Sequence, residues 1–271
     1  MNAFYTTFII GFCVDLFEII KSKFIVSFPS FELFLDFYKT SNIPKYCVPI
    51  FGYTVTFAAA LGIFCITLNR AIAISFPIFY RFKWSRYTLL ITFLIQFLLP
   101  ILVFHYEFGV EAKLKYDNIT GNYAFGMKDA EVSKKNNTIA PIFSTFILSS
   151  QISLSLLSLY KLLIEKVKTK STLEYKVLYY SVIYSAVATI GISIICLRFW
   201  IKFAGVNSSN VNLQNYGQLL GTYSSTVATT CQPYLMLIIN VNVRKRYLNF
   251  YLKNKKSTTT KTPGTRKKTL T

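Results

Sequence analysis

The chain has 271 residues, of which 53% are hydrophobic, 17% aromatic and only 15% charged. A soluble domain carries about a quarter of its residues as charges to cover its surface, so this composition excludes an ordinary water-soluble globule. The net charge of +19 and mean hydropathy of +0.42 leave a nucleic-acid binder or a membrane protein with basic flanks, and charge placement decides between them.

Crossing a hydrocarbon layer takes about 20 mainly apolar helical residues. Helices are required because lipid offers backbone polar groups no other partner. The first candidate, Phe4–Ile20, is short and carries Asp15 and Glu18. Its lack of a basic leader makes it a poor signal peptide. Five longer runs follow without formal charge: Cys47–Leu68, Tyr87–Tyr106, Ile139–Tyr160, Val177–Leu197 and Leu213–Ile239. Pro100, Pro141 and Pro233 lie within them, which a helix bundle tolerates. The expected fold is an all-α transmembrane bundle of six spans over residues 1–241. Val243, Tyr247, Leu248, Tyr251 and Leu252 then share one helical face, predicting an amphipathic helix over 242–256 on an anionic leaflet. The Thr- and Lys-rich end, 257–271, is expected to be disordered.

The five cysteines, at 13, 47, 65, 196 and 231, show no metal-ligand spacing, and no metal or cofactor is expected. The only histidine, His105, reads as an interfacial anchor. Most Lys and Arg gather in Arg70–Arg86, in Lys161–Lys176 and after Arg244, on one side of the predicted membrane. That side is assigned to the cytoplasm, which explains the net charge without nucleic acid. Glycosylation sequons at Asn118, Asn136 and Asn207 all fall on the opposite side.

The most informative stretch is Asn69-Arg70-Ala71-Ile72-Ala73-Ile74-Ser75-Phe76-Pro77, ending the second span. Arg70 could be a plain anchor reaching for lipid phosphates. The string nevertheless resembles the motif that closes the third helix of rhodopsin-like G-protein-coupled receptors: Arg70, Ala73, Ile74 and Pro77 match, while Asn69 and Ala71 depart. With Tyr80 and Trp84 added, it resembles the nematode serpentine chemoreceptors, class gamma, with class V a close alternative. Phe4, Tyr5, Phe8, Asp15 and Leu16 look like that family's second helix, and Pro233-Tyr234-Leu235 with Arg244-Lys245 like its seventh.

The resemblance implies a bundle that lacks the first of seven helices, through truncation or degeneracy, and a C-terminus in the cytoplasm. It implies a receptor in the plasma membrane of sensory cells that binds a small molecule from outside and couples to a heterotrimeric G protein. Arg70 with Asn69, Pro77 and Tyr80 would form the coupling surface, and loops Phe76–Arg86 and Lys161–Lys176 would join it. Asn69 would restrain Arg70 only by a neutral hydrogen bond, where an acid usually stands. Asp15 resembles the sodium-site acid, though pairing with Lys21 is the plainer alternative. Pro233 and Tyr234 would complete the switch. Cys47 stands where such receptors anchor a disulfide, but Glu107–Thr138 holds no cysteine to meet it.

Two rivals remain. One histidine and one well-buried acid argue against an intramembrane enzyme. A transporter or channel-like bundle is the alternative, and its expected midplane acids are scarce.

Overall fold

The computed structural model describes residues 3–117, 121–168, 172–208, 210, 212–214, 216, 217 and 220. These belong to one compact unit, Met1–Gln232. The last expected span falls almost wholly outside the described residues, as do Pro233, Tyr234, the amphipathic helix and the tail.

Chain order gives α1 (Ala3–Ser22), a π-helical turn (Lys23–Ser27), α2 (Leu35–Thr40), α3 (Asn42–Ser75), α4 (Pro77–Trp84) and α5 (Tyr87–Val103). An antiparallel hairpin follows, β1 (Ala112–Asp117) with β2 (Asn122–Met127), then α6 (Ala130–Lys168) and α7 (Thr172–Asn207). By length and apolarity, α3, α6 and α7 can each cross a membrane, and α4 with α5 passes as one bent span.

The helices outrun the apolar runs that predict them. The stretch Lys161–Lys176, expected as a loop, is largely helix, because α6 continues through Lys168 and α7 begins at Thr172. Phe76–Arg86 is likewise mostly helical. Proline explains the break between α3 and α4. Pro77 disfavours helical geometry at Phe76, whose backbone turns to φ −136°, ψ 64°. Its own missing N–H costs nothing at the start of the next helix. In α5, a π-helical turn at Leu94–Leu98 precedes Pro100, which interrupts the regular ladder.

Helix α3 is the hub. Of its most apolar window 72% is buried, against 28% in α6 and 39% in α7. Thr54–Ile63 is buried without interruption, and its alanines and Gly62 allow close helix approach. A Cβ on Gly62 would stand 3.6 Å from the Gly11 Cα and 2.6 Å from Gln96 Nε2. Outward faces are covered with large apolar side chains, including Phe12, Leu16, Leu90, Phe93, Phe146, Leu156 and Leu197. An apolar exterior wrapped around a polar-containing interior is the pattern of a bundle solvated by lipid.

The hairpin was not expected. Its register pairs Ala112 with Met127 and Asp117 with Asn122. An isolated hairpin is marginal in water, and this one is tied down. Phe125 packs edge-on to Tyr38 at 5.8 Å, Lys39 lies 5.2 Å over the Tyr123 ring, and Glu111 accepts from Tyr46 Oη at 2.9 Å. The pairing of Glu111 with Lys128 at 2.7 Å holds its carboxyl below the usual range.

Candidate functional site

Two polar assemblies occupy opposite ends of α3, separated by the 18 residues from Gly52 to Arg70, or about 27 Å of helix.

The first surrounds Arg70. Its guanidinium carbon lies 4.6 Å from the centre of the Tyr184 ring, and Nη1 stands 3.4 Å from Ser181 Oγ, both on α7. Tyr80 is near enough to interact with it electrostatically. Pro77 is exposed at the start of α4. Asn69 behaves differently from expectation: its Oδ1 accepts a 2.8 Å hydrogen bond from the Trp84 indole, inside the core. Asn69 and Trp84, fifteen residues apart in the sequence, are therefore one contact that folds α4 back against α3. Asn69 is a brace for the bend, while Arg70 meets Ser181 and Tyr184 of α7.

Asp15 is 2% exposed, and neither carboxylate oxygen has a partner among the described residues. Lys21, its plainer partner, is taken by Glu18 at 2.6 Å. Asp15 instead lies within electrostatic reach of Tyr184, the residue that receives Arg70.

The second assembly is a cavity of about 220 Å³ at the other end. Helix α1 supplies Glu18 and Lys21, α3 supplies Gly52, Tyr53 and Thr56, α6 supplies Asn136, and α7 supplies Arg198, Phe199 and Lys202. Strand β2 lays Phe125, Gly126 and Met127 across it. The Lys21 ammonium reaches Thr56 Oγ1 at 2.8 Å and the Gly52 carbonyl at 3.3 Å as well as Glu18. Lys202 Nζ donates to Tyr53 Oη at 3.1 Å. Beneath lies an aromatic seam shared by four elements. Phe57 stacks on Phe104 and Phe199, each at 5.1 Å, and meets Phe143 at 5.0 Å.

Asn136 is the sequon that the structure corrects. It is 1% exposed, its Nδ2 donates to Glu107 Oε1 at 2.6 Å, and its Oδ1 accepts from Tyr106 at 2.7 Å. A glycan has no room at an amide enclosed on both sides. Asn207, the last residue of α7, is exposed, and Asn118 lies outside the described residues. Burial raises the Glu107 carboxyl to about 8, against the opposing pull of Asn136 and Lys202. His105 is exposed beside it, with Nδ1 2.9 Å from the Leu102 carbonyl. Among the described residues Cys47 is a free thiol, as are Cys13, Cys65 and Cys196.

Sequence reasoning missed Glu18, Lys21, Arg198 and Lys202 as a group. Arg198 and Lys202 recur four residues apart just past an apolar run, and Glu18 and Lys21 three apart at the end of another, spacings that put each pair on one helical face.

No curated protein matches the chain. A family model described as serpentine type 7TM GPCR chemoreceptor Srv matches residues 1–251. The match carries the Srv name, whereas the Asn69–Trp84 pattern had pointed first to class gamma. An all-α membrane bundle and a match over nearly its whole length thus place this chain in the Srv family of serpentine seven-transmembrane chemoreceptors.

Proposed function

We propose that this receptor binds a small molecule in the cavity under the β-hairpin and relays its presence to a heterotrimeric G protein at Arg70. The carrying observation is that the same two helices hold both ends. Gly52, Tyr53 and Thr56 share α3 with Arg70, while Arg198, Phe199 and Lys202 share α7 with Ser181 and Tyr184. A ligand that changes how α3 sits against α7 at the cavity biases the same helix pair at the arginine, which is what coupling between sites requires.

On this reading the Arg70 end faces the cytoplasm and the hairpin end the exterior, in the plasma membrane, and the protein is not an enzyme. The density of Lys and Arg near Arg70 supports that orientation, and Asn118 and Asn207 then remain candidate glycosylation sites. Asn69 and Pro77 shape the coupling surface by bending α4, and Tyr80 and the basic ends of α6 and α7 border it. Asp15, through Tyr184, joins Pro233 and Tyr234 in the switch. Within the serpentine receptors, the Asn69–Trp84 pattern supports class gamma first, with class V a close alternative.

A second reading draws on the buried carboxylate of Asp15, which has no hydrogen-bond partner among the described residues: a carrier that moves a cation through the bundle. One experiment separates them. The full chain in proteoliposomes with a purified G-protein heterotrimer is expected to raise nucleotide exchange, and Arg70→Ala to abolish that rise at undiminished surface expression in cells. Unchanged exchange in Arg70→Ala would reject the receptor mechanism. Cation flux that Asp15→Asn abolishes would favour the carrier.

A further inference from the structure

The hairpin also borders a second cleft, of about 430 Å³, which the proposed signalling path does not use. Helix α2 supplies Lys39, the start of α3 supplies Lys45, and the hairpin with its flanks supplies Glu111, Lys113 and Lys128. Four lysines thus surround one carboxylate among the described lining residues. The volume lies within the roughly 300–1,000 Å³ of sites for small molecules.

That carboxylate is already engaged. Glu111 accepts from Lys128 at 2.7 Å and from Tyr46 Oη at 2.9 Å. The Lys128 backbone N–H donates to the Glu111 carbonyl at 3.0 Å, so the pair closes the open end of the hairpin. The other three lysines form no ion pair among the described residues. Lys39 lies over the Tyr123 ring, and Lys45 donates to Asn42 Oδ1 at 3.1 Å. Lysines on a strand often do no more than guard its edge against pairing with another chain, and the exposed Lys115 fits that use. Lys39, Lys45 and Lys113 differ, because three separate elements bring them to one concavity.

We propose that this cleft is a second ligand site, for a small anion carrying two or three negative charges, held by Lys39, Lys45 and Lys113 while Glu111 keeps Lys128. An exposed ion pair contributes little by itself, so a single negative charge gains too little and several have to act together. Ammonium groups are point donors that impose no fixed plane, so polycarboxylates and polyphosphates share the chemistry the site recognises. On the orientation proposed above, the anion arrives from outside the cell.

The test uses the full chain in phosphatidylcholine nanodiscs at low salt, with citrate, succinate and acetate as probes of falling charge. Saturable binding of citrate is expected about tenfold tighter than that of acetate, the order of two further exposed ion pairs, with succinate between them. Added salt should weaken citrate more than acetate. Lys113→Glu alters an exposed strand residue and should leave citrate no tighter than acetate. Glu111→Gln removes the one negative charge of the cleft and keeps an acceptor for Tyr46. It should tighten citrate about three- to tenfold, a gain that misfolding cannot mimic. No saturable binding of citrate, equal binding of the three probes, or citrate binding unchanged by Lys113→Glu or not tightened by Glu111→Gln would overturn the proposal. Displacement of citrate when phosphatidylserine is added to the nanodiscs would give the cleft to a lipid headgroup and overturn it as well. None of these readings involves Arg70 or a G protein, so loss of the anion site and loss of the receptor reading are separate results.

Discussion

The two ends of α3 hold their cations by different means. At the cavity end Lys21 has a carboxylate at 2.6 Å, a hydroxyl and a backbone carbonyl, all nearly out of reach of solvent. At the other end Arg70 rests against the face of Tyr184 and reaches Ser181 at 3.4 Å. Removing one partner from a buried ion pair costs about 3–5 kcal/mol, whereas a cation over an aromatic ring contributes about 0.5–2 kcal/mol. The first arrangement fixes α1 to α3. The second can be broken by free energies that binding or a partner supplies, and it spans the two helices on which the proposed switch depends.

The sharpest way to break this comparison is to remove the partner that is supposed to be structural. Lys21→Met takes the ammonium at 2.6 Å away from the buried Glu18, and should destabilise the fold by about 3–5 kcal/mol. Thermal exposure of the buried Cys65 and Cys196 thiols to a maleimide dye would register it. Glu18→Gln added to Lys21→Met should restore much of the loss. A single variant as stable as the parent would mean that the pair is not structural.

A smaller effect is expected at the brace beside Arg70. Trp84→Phe keeps the ring but leaves Asn69 Oδ1 without its buried donor, at a cost of about 1–3 kcal/mol. The same thiol assay measures it, and no change would remove the brace from the account.

The third is a pH slope at the cavity end. The Glu107 carboxyl is raised from 4.5 to about 8 by burial. Between these values the folded chain binds a proton that the unfolded chain has released, so stability falls as pH rises through that window and levels off above about 8. Glu107→Gln should flatten the slope in a pH series of melting temperatures. A slope retained in the variant would assign it to another group.

Legibility in the sequence followed the same division. The apolar runs predicted the helices because lipid tolerates no other backbone. They failed at the ends, because a run that stops at the first charge stops short of where the backbone stops. A charged residue does not end a helix, and α6 runs on through Lys168 and α7 through Lys202. Lys21, Arg198 and Lys202 lie in those margins, just past the runs that end at Ile20 and Leu197. The hairpin carried a weak signal in the alternation Lys113, Leu114, Lys115, Tyr116, and Gly121 takes φ +65° beside its turn. Arg70 was legible as a residue but its partners were not. Neither Ser181 nor Tyr184 is near it in sequence, and Asn69, which is, turns to Trp84.

The most direct measurement of the central claim is basal nucleotide exchange on a purified heterotrimer by the full chain carrying Tyr184→Leu. If the Tyr184 ring holds Arg70 in the resting arrangement, exchange should rise about two- to tenfold over the parent, the range that a contact of about 0.5–1.4 kcal/mol supports, and Arg70→Ala in the same chain should cancel the rise. Exchange in Tyr184→Leu at or below the parent's would contradict the account.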